Sequence, residues 1–414
     1  MNHQKRSSCR ICDGSRLRPF LSLGPQPPAN AFPADPSGFG DEESYPLDVY
    51  FCDDCSLVQL VDVIDPGALF RNYLYLTGVS ETMLRHFRTY ADTVAAWSHL
   101  AHTDLVVEIG SNDGSLLASF QRLGARVVGV EPASNVAAVA RGQGMETIEK
   151  FFTRDVARDI LATHGPAKII AANNVLAHVD EPVAVLEGCR DLLDPNGAIV
   201  VEVPSLGNLV KGMEYSTIYH EHLSYYSLTT LGTLFERAGL KLTRAEQVPV
   251  HGGSLRVYAR HQEYAHDKKA AEELARMMEN EAAAKLTSFD SLAAFSEAVP
   301  RNRSLLRNLV DDLRSAGKTI AGYGAPAKGT VLLNYCGFTP HDIPFVVDKS
   351  NWKVGRYVPG VHILVKSPEA LTQSAPDYLL ILAWNLQDEI REQQAEYHRR
   401  GGRFIIPVPE PCIV

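Results

Sequence analysis

Short apolar runs alternate with helical segments through the middle of this chain. The runs have the length of buried strands, and they lie at residues 105–109, 126–131, 167–171 and 198–203. Helical stretches such as residues 182–193 separate them. Because strands that alternate with helices form βαβ units, this pattern predicts an α/β fold with a doubly wound parallel sheet.

Two more apolar runs, at residues 241–248 and 254–260, are separated by only a short loop. A parallel crossover needs about a dozen residues or more, so these two strands must pair antiparallel. Upstream, Met83, Phe87 and Tyr90 repeat with helical spacing, which predicts an amphipathic helix over residues 79–97. The sequence therefore predicts a parallel sheet that ends in an antiparallel hairpin.

The C-terminal part repeats this design. Residues 264 to about 316 have the composition of two long helices rich in Ala, Glu and Leu. Strand-like runs follow at residues 319–321, 344–347, 378–382 and 403–406. We therefore expect three units, which are a small N-terminal unit, a sheet domain, and a helical linker with a second Rossmann-like α/β domain. Their expected bounds are residues 1–70, 71–262 and 263–414.

Two Cys-x-x-Cys pairs lie in the N-terminal unit, Cys9 with Cys12 and Cys52 with Cys55. Four such thiolates can surround one Zn²⁺ tetrahedrally, with Zn–S distances of roughly 2.3 Å. Disulfides or redox motifs are the alternatives, but we expect no secretory signal, and a redox pair opens a helix of a βαβ unit. We predict a closed structural zinc site in a small ribbon, with strands at residues 18–21 and 49–51.

Two further expectations concern local structure. Residues 24–28 read Gly-Pro-Gln-Pro-Pro, which argues against regular structure there. The remaining cysteines, Cys189, Cys336 and Cys412, stand in apolar contexts and are expected to be buried, inert thiols.

Composition narrows the class of protein. Hydrophobic residues make up 45% of the chain and charged residues 21%, and the net charge is −9 at neutral pH. These are values of a globular protein, and no apolar run is long enough to cross a membrane. The negative net charge also argues against a large nucleic-acid-binding surface, which would have to be basic. We expect a cytoplasmic monomer with no membrane or nucleic-acid partner.

A glycine-bearing turn follows the first strand of the sheet, where residues 108–117 read Glu-Ile-Gly-Ser-Asn-Asp-Gly-Ser-Leu-Leu. Glycine lets the backbone approach a ligand, and the helix that follows offers free N–H groups. The spacing is not that of dinucleotide sites, and the acidic residues would repel a pyrophosphate. Glu131 closes the second strand, where an acid can bind both ribose hydroxyls.

These features favour S-adenosylmethionine, a sulfonium amino acid with a ribose, over the alternative of a generic glycine turn. The residues expected to bind it are Glu108, Gly110, Ser111, Asn112, Asp113, Gly114, Glu131, Pro132, Asn173 and Asn174.

The motif Glu-x-Gly-x-x-x-Gly, the acid after the second strand and the terminal hairpin together resemble the class I S-adenosylmethionine-dependent methyltransferases. With the zinc ribbon and the second sheet, the whole chain resembles the deoxysugar C-methyltransferases of antibiotic-sugar biosynthesis. The likeness is greatest to the C-3 methyltransferases that make branched sugars such as tetronitrose. It implies a nucleotide-linked 4-keto-6-deoxyhexose as substrate, with thymidine diphosphate as the carrier. Methylation at C-5 or another ring carbon is the alternative.

Ionisable residues are dense between Tyr219 and Tyr225. Methylation at carbon requires removal of a hydrogen alpha to a ketone, and a histidine suits this step because its pKa of roughly 6.5 lies close to cellular pH. A phenol or a second imidazole can donate a hydrogen bond to the enolate, and a carboxylate can orient the base. Such groups therefore suit an enolate mechanism.

The resemblance assigns these roles to particular positions. The family's Tyr-x-Glu-His motif falls on Tyr219, Glu221 and His222, its upstream histidine on His178 and its N-terminal tyrosine on Tyr73. His222 is expected to be the base, with Tyr219 as the competing candidate. Glu221 is expected to position the base, and His178 and Tyr73 to contact the keto end of the sugar.

A metal site at His220, Glu221 and His222 is an alternative interpretation of this segment. Neighbouring residues on a strand point to opposite faces, so we do not expect these three side chains to share an ion. His220 is then expected to face solvent.

A second glycine turn, at residues 321–330, carries a lysine and no acid. A lysine on the first helical turn beside free N–H groups can hold an anion. The resemblance implies that this domain holds the nucleotide, with Lys328 at the pyrophosphate and Asp348 at a ribose or base. The alternative is a sheet that only packs. The expected substrate residues are Gly322, Gly324, Lys328, Asp348 and Lys349.

A rival function is a zinc-ribbon protein that binds or modifies nucleic acid. Such a protein needs a basic face, and the ribbon instead carries many acidic residues. Among them are Asp41, Glu42, Glu43, Asp53 and Asp54. An O-methyltransferase would need a base but not two groups that polarise a ketone, and an N-methyltransferase needs little base at all.

Overall fold

The computed structural model describes residues 3–71, 73–74, 76–250, 252–264 and 268–414. Within this range, the N-terminal unit is built mainly of short antiparallel strands. Its elements are β1 (His3–Lys5), β2 (Leu17–Gln26), β3 (Tyr45–Cys52), β4 (Val58–Leu60), β5 (Asp62–Ile64) and α1 (Pro66–Phe70). Strand β1 pairs with β5, and β3 lies between β2 and β4. The predicted ribbon is confirmed.

The expectation that residues 24–28 lack regular structure is wrong for residues 24–26, which belong to β2. Strand β2 lies at the edge of its sheet, and its register with β3 shifts between Ser22 and Pro25. An edge strand with a bulge tolerates proline because a missing N–H there breaks no ladder bond.

The middle unit is a seven-stranded α/β sheet in the part of the chain described. Its elements are α2 (Glu81–Ser98), β6 (Leu105–Ile109), α3 (Ser115–Gln121), β7 (Arg126–Val130), α4 (Ser134–Gly142), β8 (Thr147–Ile148), α5 (Arg154–His164), β9 (Ala167–Asn173), α6 (Pro182–Leu192), β10 (Leu193–Pro204), α7 (Leu206–Lys211), β11 (Ser224–Tyr225), α8 (Leu228–Arg237), β12 (Leu240–Val248) and β13 (Ser254–His261).

The strand order is β12-β13-β10-β9-β6-β7-β8, and β13 runs opposite to the other six strands. The predicted parallel sheet with a terminal antiparallel hairpin is confirmed. All five residues of β6 are buried, as expected for a central strand covered by helices on both faces.

Helix α2 follows the predicted apolar stripe. Ser80 begins it, since its hydroxyl accepts the N–H of Met83. Met83, Phe87 and Tyr90 face the sheet and are buried. The helix fixes the segment before it, residues 76–80, against the edge of the sheet where the parallel strands end.

The C-terminal unit has a second, six-stranded sheet among the described residues. Its elements are α9 (Lys268–Ala283), α10 (Phe289–Ser315), β14 (Ile320–Tyr323), α11 (Ala327–Cys336), β15 (Phe345–Val347), β16 (Leu364–Lys366), α12 (Ala370–Ser374), β17 (Tyr378–Ile381), α13 (Gln387–Gln393), α14 (Ala395–Arg399), β18 (Arg403–Ile406) and β19 (Cys412–Ile413).

The strand order of this second sheet is β16-β15-β14-β17-β18-β19, parallel except for β19. The predicted second Rossmann-like unit is confirmed, although sequence analysis missed β16 and β19. Cys189 and Cys336 are buried as expected, but Cys412 is exposed. It lies on β19, a two-residue strand at the edge of the sheet, which leaves its thiol uncovered.

The three units pack on one another around a shared core. Strand β11 of the middle unit pairs with β4 of the ribbon, with Ser224 opposite Gln59. One buried apolar cluster contains Val49 of the ribbon, Tyr215 of the middle unit and Leu332 of the C-terminal unit. The segment between α7 and β11 therefore lies where all three units meet. No helix in the described part of the chain is long and apolar enough to span a membrane.

Candidate active site

The four knuckle cysteines form a compact cluster. Their Sγ atoms all lie within 4.8 Å of one another, with Cys9 and Cys55 at 3.5 Å and Cys12 and Cys52 at 3.6 Å. A tetrahedral Zn²⁺ with roughly 2.3 Å bonds places its sulfur atoms about 3.8 Å apart, so the cluster fits the ion. Four protein ligands leave no open coordination position, and the site is therefore structural.

The first glycine loop joins β6 to α3 through two glycines in left-handed conformation. Gly110 has φ +65, and a Cβ there would lie 2.6 Å from Cγ2 of Val175. Gly114 has φ +80 and would meet Met145 in the same way. Only glycine permits this turn and this close approach, which brings the β6 loop against the loop after β9.

Glu131 holds this glycine loop in place from the neighbouring strand end. Its carboxylate accepts the N–H of Asn112 and the N–H of Ala133, each at 2.9 Å. Burial raises the pKa of Glu131, and the two amide hydrogen bonds offset part of this effect. Pro132 lies directly after it, partly buried at the same edge. The acid therefore fixes the glycine loop from the end of the neighbouring strand.

Several polar atoms at this edge are buried without a partner among the described residues. They are Oε2 of Glu108, Oγ of Ser111 and both amide atoms of Asn173. Burial, with Asp113 and Glu131 nearby, raises the pKa of Glu108 well above its usual range. Buried polar groups without partners are costly, so a ligand that supplies hydrogen bonds and positive charge fits this edge. S-adenosylmethionine has both.

A short segment before α2 covers the loop. The N–H of Thr77 donates to Oδ1 of Asn112 at 2.9 Å, and the N–H of Gly78 donates to Oδ2 of Asp113 at 2.7 Å. A Cβ on Gly78 would lie 2.7 Å from that same carboxylate. Asp113 and Asn112 therefore bind protein backbone in this structure, while Asn174 adopts φ +55 at the neighbouring strand end.

Tyr219 and His222 meet because residues 219–222 form a turn. The N–H of His222 donates to the carbonyl of Tyr219 at 2.8 Å, which places both side chains on one side. Nδ1 of His222 donates to the carbonyl of Thr217 at 2.9 Å. This bond leaves Nε2 of the neutral ring as an acceptor, and the hydroxyl of Tyr219 donates to it at 2.7 Å.

His178 stands beside this pair. Its ring centroid lies 4.8 Å from that of His222, with the two planes nearly perpendicular. Burial lowers the pKa of His178 to about 4, so the ring is neutral at cellular pH. Its buried Nδ1 has no hydrogen-bond partner in the described part of the chain. The unpartnered nitrogen of this neutral imidazole is available to accept a hydrogen bond from a substrate hydroxyl.

Glu221 joins the three units at this site. Asn30 of the ribbon donates its Nδ2 to both carboxylate oxygens, at 2.8 and 3.0 Å, and Tyr73 donates to one oxygen at 3.3 Å. Burial raises the pKa of Glu221 to about 7, while the charge of Lys353 from the C-terminal unit lowers it. The five predicted reactive residues therefore lie together.

The expectation that His220 faces solvent is wrong. His220 is 1% exposed, and its Nε2 bonds to the carbonyl of Pro46 at 3.1 Å. Residues 219–222 form a turn rather than a strand. The ring of His220 bonds to Pro46 of the ribbon, whereas the ring of His222 bonds to Thr217. His220 packs against the ribbon and joins the two units.

The second glycine loop joins β14 to α11 in a similar way. Gly324 has φ +86, and Gly322 packs so tightly that a Cβ would lie 2.8 Å from Val346. Asp348 accepts the N–H of Ala325 at 2.6 Å and the N–H of Ser350 at 2.7 Å. Asp348, which follows β15, therefore holds the second glycine loop in the same way that Glu131 holds the first glycine loop.

Lysines surround the second loop. Nζ of Lys328 donates to Oδ1 of Asn385 at 2.9 Å and lies 4.5 Å from the ring centroid of Trp384. Burial lowers the pKa of Lys328 to about 8, and Glu214 opposes this effect. Lys353 donates to the carbonyl of Ala325 at 2.8 Å. The predicted Lys349, by contrast, is exposed and donates to Gln393 at 2.6 Å.

Sequence analysis missed two residues that the structure places at this site. Asn30 lies in the proline-rich ribbon segment, 191 positions from its partner Glu221. Lys353 lies near Asp348 in the chain, but no pattern indicated that its charge would face Glu221. No local signal reports contacts across such separations.

Comparison with known proteins identifies the family. Consecutive parts of the chain match the family models described as "Putative zinc binding domain" (residues 9–70), "Methyltransferase domain" (residues 83–245) and "C-methyltransferase C-terminal domain" (residues 249–409). The C-methyltransferase NovU of Streptomyces niveus is 39% identical over 406 residues, which cover 98% of this chain and 96% of that protein.

The chain belongs to this C-methyltransferase family. It is an S-adenosylmethionine-dependent C-methyltransferase with a zinc-binding N-terminal domain, as the four thiolates and the unpartnered polar atoms around Gly110 already indicated. The predicted family, enzyme class and cofactors are confirmed.

Two other methyltransferases are similar to part of this chain. The ubiquinone biosynthesis O-methyltransferase of Paraburkholderia phytofirmans is 29% identical over 133 residues, 32% of this chain and 56% of that protein. The structure of the CcbJ methyltransferase from Streptomyces caelestis covers 42% of this chain and 89% of that chain, with 18% identity and a TM-score of 0.35.

Proposed function

We propose that this enzyme methylates C-3 of a nucleotide-linked 4-keto-deoxysugar, carried by thymidine diphosphate, through an enolate. The observation that carries the proposal is the Tyr219–His222 pair, oriented by Thr217 and placed beside His178 and Glu221. This set contains a proton acceptor and several groups that can bind a carbonyl oxygen. A carbon nucleophile made from a ketone requires both functions.

The Tyr219–His222 pair removes the proton from C-3 of the sugar ring. The Thr217 carbonyl fixes the tautomer of His222 with its acceptor nitrogen toward the hydroxyl of Tyr219, 2.7 Å away. The phenolic oxygen can take the sugar proton while its own proton passes to Nε2, or the imidazole can take the sugar proton directly once the hydroxyl turns toward substrate. In both routes the imidazolium that forms is stabilised by the carbonyl of Thr217.

The other side chains receive the keto end of the sugar. His178 is neutral and its ring bonds to the backbone carbonyl of Glu221, so the unpartnered Nδ1 can accept a hydrogen bond from a hydroxyl beside the ketone. Glu221, with a pKa raised to about 7, can serve as donor or acceptor. Tyr73 and Asn30 fix the position of Glu221. These preorganised groups thereby stabilise the negative charge that develops on the enolate oxygen.

The first glycine loop holds the methyl donor. Glu131 and Pro132 lie at the ribose, and Glu108 and Asn173 supply the unpartnered polar atoms for the amino acid part. Gly110, Ser111 and Gly114 let the backbone approach it, while Asn112, Asp113 and Asn174 shape the turn. When bound, S-adenosylmethionine supplies a methyl group activated by its sulfonium centre.

The second glycine loop holds the nucleotide. Lys328 lies on the first turn of α11, where a helix N-terminus and an ammonium can bind a pyrophosphate together. Gly322 and Gly324 allow the approach, and Asp348 is available to a ribose or base. Lys353, between Asp348 and Glu221, places this loop beside the reactive turn. Lys349 completes the proposed set at the rim.

The proposed setting is deoxysugar biosynthesis in the cytoplasm, with the enzyme acting as a monomer. The proposal of a monomer is supported by the site itself, since one chain supplies Asn30, Glu221 and Lys353 from its three units.

A product assay tests the proposal. The enzyme is incubated with S-adenosylmethionine and thymidine diphosphate-linked 4-keto-6-deoxyhexoses, and mass spectrometry and NMR locate any added methyl group. We expect a new carbon–carbon bond at C-3. The matched control is thymidine diphosphate-glucose, which has no ketone and cannot form the enolate. Methyl transfer to oxygen or nitrogen, or equal reaction with the control, would refute the proposal.

A further inference from the structure

A buried arginine inside the first zinc knuckle joins the metal site to the reactive loops. Arg10 lies between Cys9 and Cys12, and its side chain is 0% exposed. Its Nε donates to Oδ1 of Asp180 at 3.0 Å. Its Nη1 donates to the carbonyls of Leu60 and, at 3.2 Å, Leu223.

Two of the acceptors of Arg10, Asp180 and Leu223, belong to the two loops that carry the histidines. Leu223 follows His222 directly, and Asp180 is two positions after His178. The loops also bond to each other, because the N–H of Leu223 donates to the carbonyl of Ala177 at 2.6 Å. One guanidinium therefore bonds the ends of both histidine loops.

Gln59 fixes the arginine itself. Its Oε1 accepts the backbone N–H of Arg10 and Nη1, each at 3.2 Å. Gln59 lies on β4 and pairs with Ser224 of β11, one position after Leu223. The ribbon thus reaches the reactive turn through a strand pair and through a buried guanidinium. Such a planar, many-donor group cannot be replaced by the single ammonium of lysine without losing contacts.

We propose that Arg10 is a positioning residue for the methyltransferase reaction, which sets the separation and orientation of His178 and His222 from the zinc knuckle. It acts through the two loops to which its side chain bonds. The inference rests on the proposed role of the Tyr219–His222 pair, and it assigns the zinc ribbon a part in the geometry of proton transfer beyond holding its own fold.

The matched control is Arg6, which pairs with the same carboxylate from the surface side. Its Nη1 lies 3.1 Å from Oδ2 of Asp180 and 2.5 Å from Glu181, and its Nε donates to the carbonyl of Ser8. Arg6→Met removes one arginine from Asp180, as Arg10→Met does, but leaves the bond to Leu223 in place. Arg6 also donates to the backbone carbonyl of Asp180 at 3.3 Å, so comparison of the two variants isolates the contacts of Arg10 with Leu60 and Leu223.

The test measures kcat, both KM values, zinc content and thermal unfolding for Arg10→Met, Arg10→Lys and Arg6→Met. A displacement of the reacting groups by about 1 Å can lower kcat about 100-fold, and we expect losses of this order in both Arg10 variants with KM values within about twofold. We expect Arg6→Met to keep kcat within about threefold of the wild type. Zinc content should be unchanged in all three variants.

Several outcomes would overturn the inference. Equal kcat in Arg10→Met and Arg6→Met would show that the contacts of Arg10 with Leu60 and Leu223 do not matter, and wild-type kcat in Arg10→Lys would show that charge alone suffices. A kcat loss that follows loss of zinc or of folded protein would show a purely structural role. Arg10→Lys keeps the charge opposite Asp180 and serves as the test if Arg10→Met does not fold.

His222→Asn in the same assay separates this inference from the proposed function. Full activity of His222→Asn would refute the proposed base. Equal kcat in the Arg10 and Arg6 variants would refute the positioning role, whatever His222→Asn shows.

Discussion

The two glycine loops share one backbone plan and differ in the side chains around it. In each, a strand leads into a turn with left-handed glycine, and an acid after the neighbouring strand accepts a loop amide. Glu131 accepts the N–H of Asn112 at 2.9 Å, and Asp348 accepts the N–H of Ala325 at 2.6 Å. The plan fixes where a ligand can bind and leaves its chemistry open.

The side chains determine that chemistry. Around the first loop, Glu108, Ser111 and Asn173 present buried polar atoms without partners in the described structure. Around the second loop, Lys328 and Lys353 are bonded to Asn385 and Ala325. The surroundings of the first loop are therefore acidic and include buried polar atoms that a ligand can hydrogen-bond. The surroundings of the second loop are basic, and both lysines there already donate to protein acceptors. This contrast favours a sulfonium donor at one loop and a diphosphate at the other.

Removal of either acid should affect one ligand only. We expect Glu131→Ala to raise the Kd of S-adenosylmethionine about 100-fold, because hydrogen bonds to a charged group contribute about 1.5–3 kcal/mol each. The Kd of thymidine diphosphate should not change, and Asp348→Ala should show the reverse pattern. Isothermal titration calorimetry measures both. If either variant weakens both ligands equally, the two loops are not separate sites.

Glu221, between the loops, should make the stability of the fold depend on pH. Its pKa is raised to about 7 by burial, so the folded state holds a proton that the unfolded state releases near pH 4.5. Stability from this group is present below about pH 4.5 and is lost as the pH rises toward 7. We expect wild type to lose about 2 kcal/mol relative to Glu221→Gln between pH 5 and 8.

Urea denaturation at several pH values measures this difference. Glu236→Gln, at an exposed position, is the control. A Glu221→Gln curve that runs parallel to wild type across this range would show that the carboxyl group is not buried in the folded enzyme.

Lys328 should serve the nucleotide loop alone. We expect Lys328→Met to raise the Kd of thymidine diphosphate about tenfold and to reduce its dependence on salt, because one charge contact is lost. The affinity for S-adenosylmethionine should stay the same. Lys349→Met provides the contrast, since this lysine is exposed and bonded to Gln393. An equal effect of the two substitutions would place the diphosphate elsewhere.

Glu108 should give a smaller, pH-dependent effect at the first loop. Burial and neighbouring acids raise the pKa of this carboxyl group. A bound cation favours the ionised form, so binding releases a proton and the affinity should rise with pH. Between pH 6 and 8 we expect the Kd of S-adenosylmethionine to fall about threefold. Glu108→Gln should remove this dependence, and persistence of the slope in that variant would assign it to another group.

Sequence patterns predicted the parts of the molecule that depend on local signals. The strand and helix periods gave both sheets, and the spacing of Cys9, Cys12, Cys52 and Cys55 gave the metal site. Gly110 and Glu131 stand at positions set by a single βαβ unit, so their meeting followed from the fold class. The resemblance to a known family supplied the reactive residues.

The remaining features depend on packing between distant segments. Asn30 meets Glu221 only because the ribbon docks on the middle unit, and β4 and β11 pair across the same junction. The three- and two-residue strands β16 and β19 are too short to show a period. His220 was misplaced because a turn was interpreted as a strand, which reverses the side-chain directions.

Hydrogen exchange at the sugar ring tests the central claim most directly. The enzyme is incubated in deuterated water with a thymidine diphosphate-linked 4-keto-6-deoxyhexose and S-adenosylhomocysteine, so that no methyl transfer can follow. We predict that NMR shows exchange of the C-3 hydrogen with wild type and its loss in Tyr219→Phe or His222→Asn, with both ligands still bound. Unchanged exchange in both variants, or none with wild type, would contradict the account.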